Sequence, residues 1–195
     1  MIRFRNEENI KIAREIGDTH PEILLTNSHD GSSSFKFHVG LFRLVCSNGL
    51  VIADKTFDSF RVMHKGFQSE DIMNVVSMTT EKIPMVVGKV QKMMSKELSQ
   101  SQQYDFAKMV ANERWGEDKM IDLNQMLSIR RTEDSGNDLW SVFNRVQENM
   151  LQGGTLIVTP KDNGSLRRSR SRAIRSIEQN LEVNKMLWSL SESIL

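Results

Sequence analysis

Asn27 to Ala53 reads NSHDGSSSFKFHVGLFRLVCSNGLVIA, small polar clusters alternating with apolar runs. Within Phe35-Lys36-Phe37-His38-Val39 the alternation has the period of two that belongs to a half-buried strand, with Phe35, Phe37 and Val39 on one face. Asn48-Gly49 separates Leu41–Cys46 from Leu50–Ala53, and Asn-Gly is the pair that best adopts the positive φ angles of a two-residue hairpin turn. Working outward, residues 20 to 65 are expected to form three or four strands joined by tight turns.

From Ser69 the period lengthens. Ile72, Val75, Val76, Val86, Val87, Val90, Met93 and Leu98 follow helical spacing, with Pro84 expected to end or kink the helix. A second helix is expected over Gln102–Arg114, with Phe106, Met109 and Val110 inward and Gly116 as its stop. Asp122 and Gln125 have the spacing of a capping box that starts a short helix. Leu139, Val142, Phe143, Val146 and Met150 make an apolar stripe ending at Gly153-Gly154, and a last helix is expected over Ser171–Ser193. The order predicts an α+β fold with N-terminal antiparallel β-hairpins packed against a C-terminal set of helices. One domain over residues 1–195 is expected, β-rich over about 1–66, helical over about 69–195, with a basic loop at about 159–170.

With 26 Lys and Arg against 25 Asp and Glu the chain is close to neutral, so only a local patch can attract a polyanion. Met1–Ile10 lacks an apolar signal core and no apolar run is long enough to span a bilayer, so a cytoplasmic protein with no membrane partner is expected. The single Cys46 cannot form an internal disulfide, which suits a reducing compartment.

Ser28-His29-Asp30 has the letters of a triad, but adjacent residues project in different directions, whereas nucleophile, base and orienter must converge. A turn in which Asn27 and Asp30 bond the backbone and Gly31 takes a positive φ accounts for them more simply. His20, His29, His38 and His64 with Asp30 and Cys46 show no metal-ligand spacing, and no Gly-rich phosphate loop occurs, so neither metal nor cofactor is expected. Lys161–Arg175 holds six basic residues against Asp162 alone, a local charge near +5. Arg167, Arg168, Arg170, Arg172 and Arg175 can bind phosphates as bidentate forks, with Arg43 and Lys36 as sheet-side contributors. The competing reading is a solvated basic loop facing Glu133, Asp134 and Asp138. Arg130-Arg131-Thr132-Glu133-Asp134 mixes both signs and reads as internal ion pairing. Trp140 and Phe143 read as core, while Asn144 and Gln147, three apart on one helical face, can bond buried backbone, a base or a partner loop.

The stretches NSHDGSS, GLFRLVCSNGL, RRTED, LWSVFNRVQEN, Gly153-Gly154 and Asn184-Lys185-Met186-Leu187-Trp188 carry a resemblance to the phage/plasmid-like proteins known as domain of unknown function 932. This chain looks like a short form, since relatives are usually longer, with a region before the Asn27 motif that is largely lacking here. The resemblance implies a setting in phages, plasmids and genomic islands, and carries no activity onto particular residues. The leading expectation is a non-enzymatic, nucleic-acid-associated protein of a mobile element, similar in role to single-strand annealing recombinases. The main alternative is an inhibitor of a host defence protein, presenting the turns at Asn27–Gly31 and Ser47–Gly49. A third is a hydrolase or metal-dependent enzyme using His29 and Asp30. A homo-oligomer is left open.

Overall fold

The computed structural model describes residues 2–4, 19–26, 35–43, 60–62 and 69–195. The chain divides into two compact units, Met1–Gln91 and Lys92–Leu195. In the first, β1 (Ile2–Phe4), β2 (Thr19–Thr26), β3 (Phe35–Arg43) and β4 (Phe60–Val62) form an antiparallel sheet in the order β1-β2-β3-β4. The strand expected at Phe35–Val39 is the first part of β3, whose Lys36 stands opposite Thr26 on one side and Arg61 on the other. Asn48-Gly49 and the Asn27–Gly31 motif lie outside the described residues.

Helix α1 (Ser69–Ser95) carries the boundary between the units. It runs through Pro84 rather than ending there. Proline removes one backbone donor, and the many remaining hydrogen bonds of a 27-residue helix can carry it across that gap.

The second unit contains α2 (Gln100–Trp115), β5 (Met120–Ile121), α3 (Leu123–Leu127), a 3-10 turn (Thr132–Asp134), α4 (Leu139–Gln152), β6 (Leu156–Pro160), β7 (Leu166–Arg170) and α5 (Ile177–Glu192). The molecule is thus mixed α+β. Strands followed by helices is not its order throughout: in this unit helices come first and the β6–β7 hairpin follows, the reverse of the expectation. β5, β6 and β7 form a three-stranded antiparallel sheet in that order.

Local sequence explains the element ends. Ser99 caps α2 through a reciprocal bond with Gln102, the arrangement that satisfies two orphan helix donors at once. Gly116, at φ 91°, closes α2. At α3 only half of the expected capping box forms. Asp122 accepts from the Gln125 amide, but the Gln125 side chain turns away to accept from the Leu156 amide of β6. The Asp122 N–H donates to the Leu156 carbonyl, so one residue of β6 takes both bonds and α3 is pinned to the sheet.

α4 is the core. Every residue from Leu139 to Leu151 is buried, and α2, α3, α5 and the 3-10 turn surround it. Trp140 stacks on Phe143 at 5.5 Å, and Phe143 meets the Trp188 edge at 6.4 Å, the offset and edge-on geometries that ring quadrupoles favour. Met93, Met126 and Met150 fill the irregular spaces between helices.

At its C-terminus α4 ends on Gly153, with φ 71° and ψ −165°, a conformation essentially confined to glycine. A Cβ there would lie 2.6 Å from the Ala173 nitrogen and from the Arg172 carbonyl carbon. The chain that follows β7 passes across this point, held by Ser171 N–H to Thr155 O, Gly154 N–H to Ser171 O and Ile174 N–H to Leu151 O. This docking explains why α5 starts at Ile177 rather than at Ser171: the backbone groups of Ser171 and Ile174 bond to Gly154 and Thr155, just ahead of β6, and to Leu151 of α4 instead of to a helix of their own.

Candidate nucleic-acid interface

Two groups of polar residues stand out in the second unit, one interior and one exposed. The interior group is the polar face of α4, which is buried. Asn144 Nδ2 donates back to the Trp140 carbonyl. Gln147 Nε2 donates to Asn184 Oδ1 at 2.5 Å and ties α4 to α5. Asn149 Nδ2 lies within 3.0 Å of the carbonyls of Met126, Ser128 and Arg145, and its Oδ1 accepts from Ser128 Oγ and Arg130 Nε. Arg145 donates to Gln103 Oε1 and the Gly136 carbonyl. Its pKa is lowered by desolvation, which the nearby Asp134 and Asp138 carboxylates oppose. Its Nε has no hydrogen-bond partner among the described residues. Burying such groups without partners would each time cost free energy, so their pairing is a condition of the fold. Asn144 and Gln147 therefore bond within the chain, where both a structural and a ligand-binding use had been open. Arg131 and Glu148 bear out the internal ion pairing expected around Arg130–Asp134, at 2.9 Å.

The exposed group is the β6–β7 hairpin, which corrects the loop expected at 159–170. Leu156-Ile157-Val158-Thr159 is rich in β-branched residues and supplies the inner strand. The turn is made by Asn163, whose Oδ1 accepts from the amide and hydroxyl of Ser165, and by Gly164 at φ 77°. β7, reading LRRSR, can be a strand because it lies at the sheet edge and all five residues are exposed.

Register assigns the side chains to faces. Ile157 pairs with Ser169 and Thr159 with Arg167, on the face that Ile157, 8% exposed, turns inward. Val158 pairs with Arg168, Leu156 with Arg170 and Pro160 with Leu166 on the outer face. Met120 of β5 stands opposite Val158, so Met120, Val158 and Arg168 form one row across the sheet. Met120 is 52% and Leu166 54% exposed. The outer face thus combines arginines with uncovered apolar side chains.

Arg170 Nη1 donates to the Gly154 carbonyl at 2.8 Å. The side chains of Lys161, Arg167, Arg168, Arg172 and Arg175 make no hydrogen bond or ion pair among the described residues. Asp134 and Asp138 sit near Arg145 instead, and Asp138 caps α4 through Ser141. Arg167, Arg168, Arg170, Arg172 and Arg175 fall together in residues 167–175 of the second unit, whereas Lys36 and Arg43 belong to β3 of the first. The run of β-branched residues before Pro160 was the available signal for the hairpin.

His20 and His38 lie on the paired strands β2 and β3 but do not meet across the ladder, since His20 stands opposite Phe42 and His38 opposite Leu24. His29, Asp30, Cys46 and His64 lie outside the described residues. Among the described residues, no three His, Cys, Asp or Glu side chains gather as a metal site would require, and no helix is long and apolar enough to cross a membrane.

A mixed α+β protein with an internal polar network and an exposed arginine hairpin is the class these features define. The chain belongs to the family described as domain of unknown function (DUF932), whose model matches residues 2–188. It is 38% identical to the UPF0380 protein YafZ and 37% identical to the UPF0380 protein YfjQ, both of Escherichia coli (strain K12). Each match covers the whole of this chain and 68% of the relative. No solved structure matches it.

Proposed function

We propose that the chain is a non-enzymatic protein that associates with nucleic acid in the setting of a mobile genetic element, using the β6–β7 hairpin and the segment after it to contact phosphates. One observation carries this reading: Lys161, Arg167, Arg168, Arg172 and Arg175 are exposed within fifteen residues of chain and are not neutralised by acids among the described residues. An unneutralised cluster of this kind gains free energy by displacing the counterions condensed on a polyanion. The guanidinium fork adds bidentate geometry that suits phosphate oxygens. The mobile-element setting follows from family resemblance alone.

Single-strand binding is the finer form of the reading. A duplex presents mainly phosphates to an exposed sheet face, whereas unpaired bases can also cover apolar side chains such as Met120, Val158 and Leu166. The test is titration of the purified protein with fluorescent single- and double-stranded DNA and RNA across salt concentrations, with mass measured in the same buffers. Salt-sensitive binding that prefers single strands is the expected result. Absence of binding at low salt overturns the reading and makes a host protein the partner to look for.

A further inference from the structure

A cleft of about 540 Å3 opens between the C-terminal half of α2 and β5, with Lys108 and Asn112 on the helix side and Met120 and Ile121 on the strand side. We infer that this cleft holds one unpaired base of a single strand whose phosphates run along the arginine hairpin. The inference rests on the nucleic-acid reading above and adds a site to it.

Charge is the first ground. Lys119 is already engaged, donating to the Trp115 carbonyl at 2.6 Å and pairing with Asp118 at 3.1 Å. That leaves Lys108 and Glu117, one of each sign, so with Lys119 paired to Asp118 the charges at the cleft nearly cancel, in contrast to the arginine hairpin. Its lining is divided about evenly between polar and apolar surface, with Ala111, Met120, Ile121 and Leu123 supplying the apolar part and the Asn112 carboxamide lying beside the charged side chains. A mixed lining, apolar side chains beside a donor-acceptor amide, suits a flat heterocycle that has apolar faces and a polar edge.

Continuity is the second ground. Met120 lines the cleft and also begins the row that runs through Val158 to Arg168. Two strand spacings separate β5 from β7, roughly 10 Å. Stacked nucleotides advance about 3.4 Å each, so a strand held at Arg168 reaches the cleft within a few nucleotides. The cations and the neutral cleft then divide the work, phosphates at one end of the row and a base at the other.

The experiment is binding of an oligodeoxythymidylate carrying one 2-aminopurine, followed by fluorescence. Wild-type protein is compared with Asn112→Trp, which fills the cleft, with Asn112→Ala and Lys108→Ala, and with an Arg167→Ala/Arg168→Ala/Arg170→Ala triple variant. The expected result is a change in 2-aminopurine emission on binding that Asn112→Trp abolishes, with affinity lower on the order of tenfold, as when one stacked base is given up. Should Asn112→Trp fail to fold, Asn112→Ala decides, by weakening the signal while leaving the salt slope unchanged. Wild-type emission and affinity in every folded cleft variant, together with abolished binding in the arginine variant, would overturn the cleft and leave the hairpin reading standing. Failure of the wild-type protein to bind any oligonucleotide would overturn both.

Discussion

Arg131 Nε donates to both carboxylate oxygens of Glu148, at 3.0 and 2.9 Å, and so fastens the segment ahead of the 3-10 turn to the middle of the buried helix α4. Both side chains are largely withdrawn from water, 18% and 9% exposed. Removing one partner strands the other charge. Arg131→Met is expected to destabilise the protein by about 3 kcal/mol, whereas Arg131→Met with Glu148→Leu costs much less because no charge is left behind. Urea unfolding of the two variants checks this, and equal destabilisation would mean the pair is effectively solvated.

The Gln147 to Asn184 bond is the polar link between α4 and α5. Gln147→Ala is expected to cost about 1–3 kcal/mol, through the missing bond and the space left beside a fully buried Asn184. A thermal midpoint within error of wild type would contradict that role.

Gly153→Ala meets two obstacles at once, a glycine-only backbone conformation and the 2.6 Å approach of residues 172–173. The backbone conformation alone accounts for about 1–3 kcal/mol, and the steric clash adds to it. Gly154→Ala, with open space around its Cβ position, shares the positive φ without the clash and is expected to be the milder change. Calorimetry on the pair separates strain from crowding.

Replacing Arg167, Arg168 and Arg170 by alanine is expected to flatten the salt dependence of single-strand binding by about 0.7 in the log-log slope for each phosphate no longer neutralised. Their exposure predicts a thermal midpoint close to that of wild type, the one bond removed being that from Arg170 to the Gly154 carbonyl. A lower midpoint with an unchanged slope would reassign the arginines to stability.

The parts of the fold that sequence announced are those where one local signal decides. Gly116 and Gly153 stop helices because few other residues can take their backbone angles, and Asp122 starts α3 because a short carboxylate reaches the Gln125 amide. The hairpin was less legible, because arginine has no strong strand preference and Asp162-Asn163-Gly164-Ser165 reads equally as loop. Only pairing with Leu156–Pro160 makes LRRSR a strand. The interior network was legible only in part: Asn144 and Gln147 could be read as bonding buried backbone, but not with which partners. The partners of Arg145, Gln147, Glu148 and Asn149, which include Gln103, Asn184, Arg131 and Ser128, are brought in from other elements by the tertiary fold, and nothing local in the sequence names them. Likewise Gln125 has the spacing of a capping partner, yet the amide of Leu156 claims it.

β7 also has a bearing on how copies of this chain meet. As the outer strand of its sheet it has a side with no neighbouring strand among the described residues, the kind of surface on which a second chain can add a strand of its own. Two copies approaching through β7 would bring Arg167, Arg168 and Arg170 of each into one ladder, like charge against like charge at strand spacing. Charge of one sign along this edge opposes such strand pairing, and the repulsion fades as salt rises or as a polyanion neutralises it.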